Sequence, residues 1–362
     1  MIKINPNTCI RIFCYFCNIN KKNLKMQNKR EFGQYFTVNN PFDHPLFKEW
    51  MSLNGCESKD VILEPFAGAN NILKLMYESG YDNPWKCYDI DPSNENVFPQ
   101  YKVEYKDTLK EFPEGYKICV TNCPYLGKSS ARRRKINYTW KEDDLYKVCL
   151  NKMLDNCEYV AAIIPESFIT AKIHRDRLWG VISLTCKMFT DTDCPVCLAM
   201  FTPNGSFNQT KIYSNEEYLG TLEELSNIDL IIEDTKYNQW VFNDKNGSIG
   251  VKTVDNQKEN DCKFFDGNLI NPDDIKISSR AFTRISGLPY NVNKEDFIFI
   301  CNKILDDYRE KTKDVLMTSF KGLRSDGKYR RRLDFKTVRC ILNKALKMIV
   351  EKTAKNDVEK QI

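Results

Sequence analysis

What the chain lacks narrows its function first. No apolar run approaches the roughly 20 residues needed to cross a bilayer. The apolar segment at residues 10–16 is short and broken by Arg11, so it reads neither as a membrane span nor as a secretory signal. Histidine is scarce: His44 and His174 are the two among 362 residues. A zinc site would have to bring the pairs Cys14/Cys17 and Cys194/Cys197 together in space, and no metal is expected. Internal repeats and low-complexity tracts are missing too, which leaves ordinary globular domains. Cysteine, by contrast, is plentiful at 15, but the number is odd and the spacing irregular. Cys119, Cys149 and Cys197 sit inside apolar runs, which fits reduced, buried thiols in an intracellular protein, cytoplasmic or nuclear, better than a disulfide framework.

The length suits two domains, each with a sizeable core. A net charge of +5 hides an asymmetry: between residues 320 and 347, ten Lys and Arg stand against two acids, Asp326 and Asp334, a net of +8. Phe335, Val338, Leu342, Ala345 and Ile349 mark a helical stripe there, with Lys336, Arg339, Lys344 and Lys347 on the other side. Such a face is either a solvated flank or a surface that neutralises phosphates. Arg280 and Arg284, in a run that mixes donors with Phe282, and Lys328, Arg330, Arg331 and Arg332 are the candidate contacts in this half.

The chain is organised around Asn122-Cys123-Pro124-Tyr125. Residues 118–121 read as a buried strand, and a polar, proline and aromatic turn follows. Asn122 supplies a side-chain carbonyl, Pro124 fixes the backbone so that a main-chain carbonyl can point the same way, and Tyr125 offers a π-face. Two acceptors beside an aromatic plate suit an exocyclic amino group on a nucleobase. Taken alone, the stretch is also an ordinary strand and proline turn.

Upstream, residues 61–72 read as a strand, an acidic end at Glu64, the small-residue turn Pro65-Phe66-Ala67-Gly68-Ala69-Asn70, and a helix through Ile72, Leu75 and Met76. This is the first βα unit of a nucleotide-type sheet. Gly68 is its single glycine and Glu64 would repel phosphate, so the expected ligand is a nucleoside without phosphate, carrying positive charge. A second strand ends near Asp89-Ile90-Asp91, where a ribose diol is usually bound; Asp89 is the first choice and Asp91 the second. Asp107 and Thr108 follow a third short strand, and the carboxylate could accept from an adenine amino group. Tyr35-Phe36-Thr37 precede an apolar-periodic helix, where a hydroxyl and free amides form either an N-cap or a carboxylate site. After the central turn come Lys128, Arg132, Arg133 and Arg134, then Tyr138 and Trp140, a solvated loop or a set of phosphate contacts. A helix near 145–153 and a buried strand at 159–165 continue the alternation, and strands at 188–192 and 196–201, joined by a turn at 193–195, are expected to close the sheet as an antiparallel hairpin.

In this order the residues resemble the S-adenosylmethionine-dependent DNA methyltransferases of the adenine-N6 amino-group type, with cofactor motifs first and target recognition last, the gamma-like order of type II modification enzymes. The resemblance covers roughly residues 31–201 and rests on co-occurrence of motifs. It implies an α/β fold: a Rossmann-like sheet with a closing antiparallel hairpin, plus a C-terminal α+β target-recognition domain. The implied layout is an N-terminal extension at 1–25, a catalytic domain at 26–204 and a DNA-binding domain at 205–362. Tyr35, Phe36 and Thr37 would meet the methionine end of the cofactor; Glu64, Phe66, Ala67 and Gly68 would wrap it; Asp89 and Ile90 would hold the ribose, and Asp107 and Thr108 the adenine, with Asn122 also touching the cofactor. Asn122 to Tyr125 would be the catalytic motif usually written Asn-Pro-Pro-Tyr. Cys123 departs from it, as does Asn70 from a usual glycine; neither removes a functional group. The implied partner of a monomeric enzyme is double-stranded DNA, with a cognate restriction endonuclease sharing the site without direct contact, and no membrane. An RNA adenine methyltransferase, a protein-glutamine N-methyltransferase and a non-enzymatic DNA-binding module are the rival readings.

Overall fold

The computed structural model describes residue 37 and residues 39–55, 57–185, 187–189, 194–206, 208–228 and 239–359. The N-terminal extension and the candidate residues Tyr35 and Phe36 lie outside the described residues. The chain divides into two compact units: one holds Met1–Pro165, Met188–Thr192 and Met200–Pro203, the other Glu166–Lys187, Asp193–Ala199 and Asn204–Ile362.

Five parallel strands form the sheet of the first unit: β1 (Ile62–Glu64), β2 (Trp85–Asp89), β3 (Val103–Tyr105), β4 (Ile118–Asn122) and β5 (Tyr159–Pro165), in the order β3-β2-β1-β4-β5. Ile62 stands opposite both Trp85 and Ile118, and Asn122 opposite Ile163. The centre of the sheet is dry, with Ile118, Cys119, Val120 and residues 160–164 all fully buried. That is why these strands read as continuous apolar runs, whereas β3 at the edge is mostly exposed. After β3 the chain crosses to the far side of β1, so the strand order reverses between β1 and β4. Ligands of open α/β sheets bind outside the carboxyl ends of the strands at such a point.

Local chemistry sets the helices. Helix α1 (Pro45–Leu53) begins with His44, whose Nδ1 accepts from the Leu46 amide at 3.0 Å, and with proline in its first turn. It buries Leu46, Phe47, Trp50 and Met51, and the Trp50 indole donates to the Phe201 carbonyl at 3.1 Å. Between β1 and helix α2 (Asn71–Glu78), Gly68 and Asn70 take left-handed backbone at φ 51° and 63°. Asparagine tolerates this better than most residues, and its side-chain amide ties the turn to the Tyr101 carbonyl at 2.8 Å and to Asn96 at 3.1 Å. The basic run after the central turn is a short helix, α3 (Lys128–Arg133), and α4 (Leu145–Asn156) starts at the capping residue Asp144.

In the second unit, β6 (Leu178–Leu184) and β8 (Lys211–Ser214) run parallel, and β9 (Glu217–Thr221) returns antiparallel to β8. β7 (Val196–Phe201), whose residues fall in both units, neighbours β6. Among the described residues, the strand paired with β7 on this side is Leu178–Leu184. Of the expected strand at 188–192, Phe189 makes an isolated antiparallel bridge to Thr37, and residues 190–192 lie outside the described ones. Helix α5 (Leu222–Ile228) follows.

An antiparallel sheet, ordered β10 (Val241–Phe242), β13 (Phe282–Ser286), β11 (Ile249–Lys252) and β12 (Lys263–Asp266), packs with helices α6 (Lys294–Thr312) and α7 (Phe335–Glu359) around Trp240, Phe264, Phe297 and Leu305. The hairpin β14 (Thr318–Leu323) and β15 (Tyr329–Arg332) precedes α7. The fold is thus α/β, with a largely parallel Rossmann-like sheet and a C-terminal antiparallel sheet with helices. Among the described residues no helix is long and apolar enough to cross a membrane, and no group of three His, Cys, Asp or Glu is placed to hold a metal ion. The ten described cysteines are free thiols, nine of them buried.

Candidate functional site

At the carboxyl ends of β1, β2 and β4 the first unit opens a cleft of about 320 Å³. Its floor is the β1–α2 turn (Phe66, Ala67, Gly68) with Asn71 and Ile72. One wall carries Asp89, Ile90, Asp107, Thr108 and Leu109; the other carries Asn122, Cys123, Pro124 and Leu126. Thr37 reaches the cleft from the chain before α1. Every described cofactor candidate except Glu64 therefore lines one cavity, together with three of the four members of the central turn.

The acids differ in what they are free to do. Asp89 is buried, accepting from the Gly68 amide at 2.8 Å through Oδ2 and from the Asp91 amide at 2.7 Å through Oδ1. It thus fastens the glycine turn to the end of β2. Asp91, the second choice, is absent from the cleft lining and accepts from Ser93. Asp107 is tied to Lys110 at 3.0 Å, while the Thr108 hydroxyl donates to the Pro65 carbonyl at 3.0 Å. Glu64 does not reach the cleft. It is fully buried beneath it, and its Oε1 accepts from the Phe66 amide at 3.0 Å and from the Thr121 hydroxyl. Burial pushes its carboxyl up to about 8, against these two hydrogen bonds, and Asp89 adds to the rise. Its Oε2 is buried with no hydrogen-bond partner among the described residues, so Glu64 braces two strand ends through Oε1 alone.

Tyr125 also differs. Its ring is buried, packed edge-on to Phe189 at 6.1 Å, and does not line the cleft. Its hydroxyl donates to the Ile163 carbonyl at 2.9 Å and lies against Asn122 Oδ1. The aromatic surface facing the cleft comes instead from Phe66, Tyr138 and Trp140, with Ile136, Asn137 and Leu145 beside them. Residues 136–140 were not among the site candidates; the one signal for them was an aromatic pair directly after the basic run. Two buried hydroxyls on the cleft lining, Thr37 Oγ1 and Tyr138, have no hydrogen-bond partner among the described residues.

The basic candidates separate by burial. Lys128, Arg132, Arg133 and Arg134 are exposed at α3. In the second unit Arg280 and Lys328 are exposed, and Arg330 and Arg332 half-buried. Arg330 donates to the Asp255 carbonyl at 2.8 Å and lies over the Phe320 ring. Arg284 and Arg331 are engaged inside the fold. Arg284 donates to the Gly247 carbonyl at 2.9 Å and to Asn268 at 3.2 Å. Arg331 forms a buried ion pair with Glu166, which also accepts from Ser183 and Ser319. Neither guanidinium is presented to a phosphate.

The chain matches no protein-family model and no curated protein. Solved structures similar to it include the type I restriction-modification methyltransferase subunit from Streptococcus thermophilus, 12% identical over 53% of this chain and 52% of that one, with a TM-score of 0.36. A type I restriction enzyme M protein, EcoKI, is 14% identical over 91% of this chain and 73% of that one at a TM-score of 0.34. The type IIG restriction endonuclease BpuSI is 12% identical over 91% and 47% at a TM-score of 0.38. The chain matches about half the length of the first of these.

Proposed function

We propose that the chain is a DNA methyltransferase that transfers a methyl group from S-adenosylmethionine to the N6 amino group of an adenine flipped out of duplex DNA. The observation that carries this reading is the convergence of Asp89, Asp107 and Asn122, each at or just past the end of a different strand of one parallel sheet, on a single cleft at the point where strand order reverses. The residues present fit the cofactor. Gly68 gives a close backbone approach, the Asp89 carboxylate stands at the end of β2 where a ribose diol would lie, Asp107 lies within the same wall, and Thr37 Oγ1 supplies a buried hydroxyl with no partner among the described residues. When bound, S-adenosylmethionine supplies an electrophilic methyl on a sulfonium.

The protein's own contribution is positioning and acceptance of hydrogen bonds. An adenine amino lone pair is delocalised into the ring and nucleophilic only as the nitrogen pyramidalises. Asn122 Oδ1 and the Cys123 carbonyl accept its two N–H donors and favour that geometry, and no covalent nucleophile is required. Any residue supplies the carbonyl at position 123, so cysteine in place of proline keeps the acceptor. Tyr125 serves as the strut of the turn, and the base stacks on the aromatic wall of Tyr138 and Trp140. Exposed Lys128 and Arg132 to Arg134 contact phosphates beside the cleft, and exposed cations of the second unit add further contacts. Labelled methyl transfer to duplex DNA, followed by digestion to nucleosides, tests the reading: N6-methyladenine supports it, and label in RNA or protein alone rejects it.

A further inference from the structure

Away from the cleft, the second unit holds a cavity of about 310 Å³ whose polar lining includes Lys172, Arg175, Thr318, Asp334, Lys336 and Thr337. Arg175 is the unusual member. Its Nη2 donates to the Ile169 carbonyl at 2.6 Å, whereas its Nη1 is buried without an acceptor among the described residues. Burial alone lowers its pKa to about 10, and no neighbouring carboxylate among the described residues offsets this. The single acid in the wall is committed elsewhere: Asp334 Oδ1 accepts from the Thr337 amide at 2.8 Å and Oδ2 from the Thr318 hydroxyl at 3.3 Å, which caps α7. Lys172 and Lys336 are exposed at the mouth. The chain that places Arg175 is itself strained, with Lys172 and His174 both in left-handed backbone at φ 56° and 52°. Such conformations are unfavourable for residues other than glycine and persist where the surroundings impose them.

A buried guanidinium nitrogen lacking an acceptor is costly, and a phosphate oxyanion is the group that best supplies one, because its oxygens match the planar fork and its charge answers all three cations. We infer that this cavity binds one phosphate group, held by Arg175 Nη1 and flanked by Lys172 and Lys336. The inference rests on the methyltransferase reading only for the source of that group, a backbone phosphate of DNA; free inorganic phosphate offers the same chemistry.

Two titrations of the full chain separate the possibilities, one with inorganic phosphate followed by calorimetry and one with fluorescent duplex DNA over a range of salt. Arg175→Gln is expected to weaken phosphate binding at least fivefold and to flatten the log–log salt dependence of DNA binding by about 0.9, the value of one phosphate contact. Lys172→Gln with Lys336→Gln alters exposed side chains, so folding is not at stake, and is expected to weaken phosphate binding at least twofold. If only phosphate binding falls, the site stands and its ligand is free phosphate; if only the DNA slope falls, the site stands and takes the backbone. A wild-type chain without DNA affinity rejects the DNA reading and leaves the phosphate titration to decide the site. Unchanged phosphate affinity and unchanged slope in both variants, or a wild-type chain that binds neither ligand, overturn the inference.

Discussion

The hydroxyl of Tyr125 lies 2.9 Å from the main-chain carbonyl of Ile163 and also within reach of the side-chain carbonyl of Asn122. One proton faces two acceptors. When it goes to Asn122 it occupies a lone pair of Oδ1; when it goes to Ile163 it does not. The tyrosine thus links the end of β4 to β5 and sets how Asn122 is presented.

Tyr125→Phe removes the hydroxyl and keeps the ring against Phe189. Turnover is expected to fall by about tenfold, with the affinity for duplex DNA unchanged, because the ring does not line the cleft. Trp140→Ala is expected to do the opposite and weaken DNA binding by roughly 1–3 kcal/mol, the value of a lost stacking contact. Binding isotherms and single-turnover rates on both variants check this; a loss of DNA affinity in Tyr125→Phe would return the stacking role to that residue.

Glu64 makes stability depend on pH. Its folded-state pKa of about 8 lies above the ordinary 4.5, so the folded chain holds a proton that the unfolded chain releases. Stability is complete below pH 4.5 and declines as pH rises towards 8, by up to about 1.4 kcal/mol per pH unit. Glu64→Gln keeps the shape without the titration and is expected to flatten that decline. Urea unfolding at pH 5 and pH 8 measures it, and an equal decline in both proteins would show that Glu64 is ionised throughout.

Arg331 and Lys328 look alike as basic residues in one segment, yet they do different work. Arg331 is paired with Glu166 at 3% exposure each, so Arg331→Met strands a buried carboxylate and is expected to cost about 3–5 kcal/mol. Lys328 is exposed; Lys328→Gln is expected to stay within about 0.5 kcal/mol of wild type while reducing the salt slope of DNA binding. Denaturation midpoints and salt-dependent binding on the two variants distinguish the roles, and equal stability in both would remove the ion pair from the core.

The contrast shows where sequence reasoning reaches. Strands β1, β2, β4 and β5, the α2 and α4 helices and the left-handed Asn70 were legible because local pattern and turn chemistry agree with the fold. The strand Leu178–Leu184 was not. Its residues are almost all buried, so they show no alternation, and Gly180 in its middle weakens the strand signal. The positions of Asp89, Asp107 and Asn122 followed from strand ends, whereas the burial of Glu64, Tyr125, Arg284 and Arg331 did not, because residue type says nothing about which partner lies opposite in space. Residues 136–140 were missed for the same reason, since a loop's approach to a cleft leaves no periodicity to read.

The central claim is that Asn122 accepts from the amino group as it pyramidalises, and one measurement meets it directly: labelled methyl transfer to duplex DNA by wild type and Asn122→Ala, with cofactor and DNA affinities determined alongside. The account predicts N6-methyladenine from the wild type and a fall in turnover on the order of 10² or more in Asn122→Ala, with both affinities retained. Full activity in Asn122→Ala, or label on any other base, would contradict it.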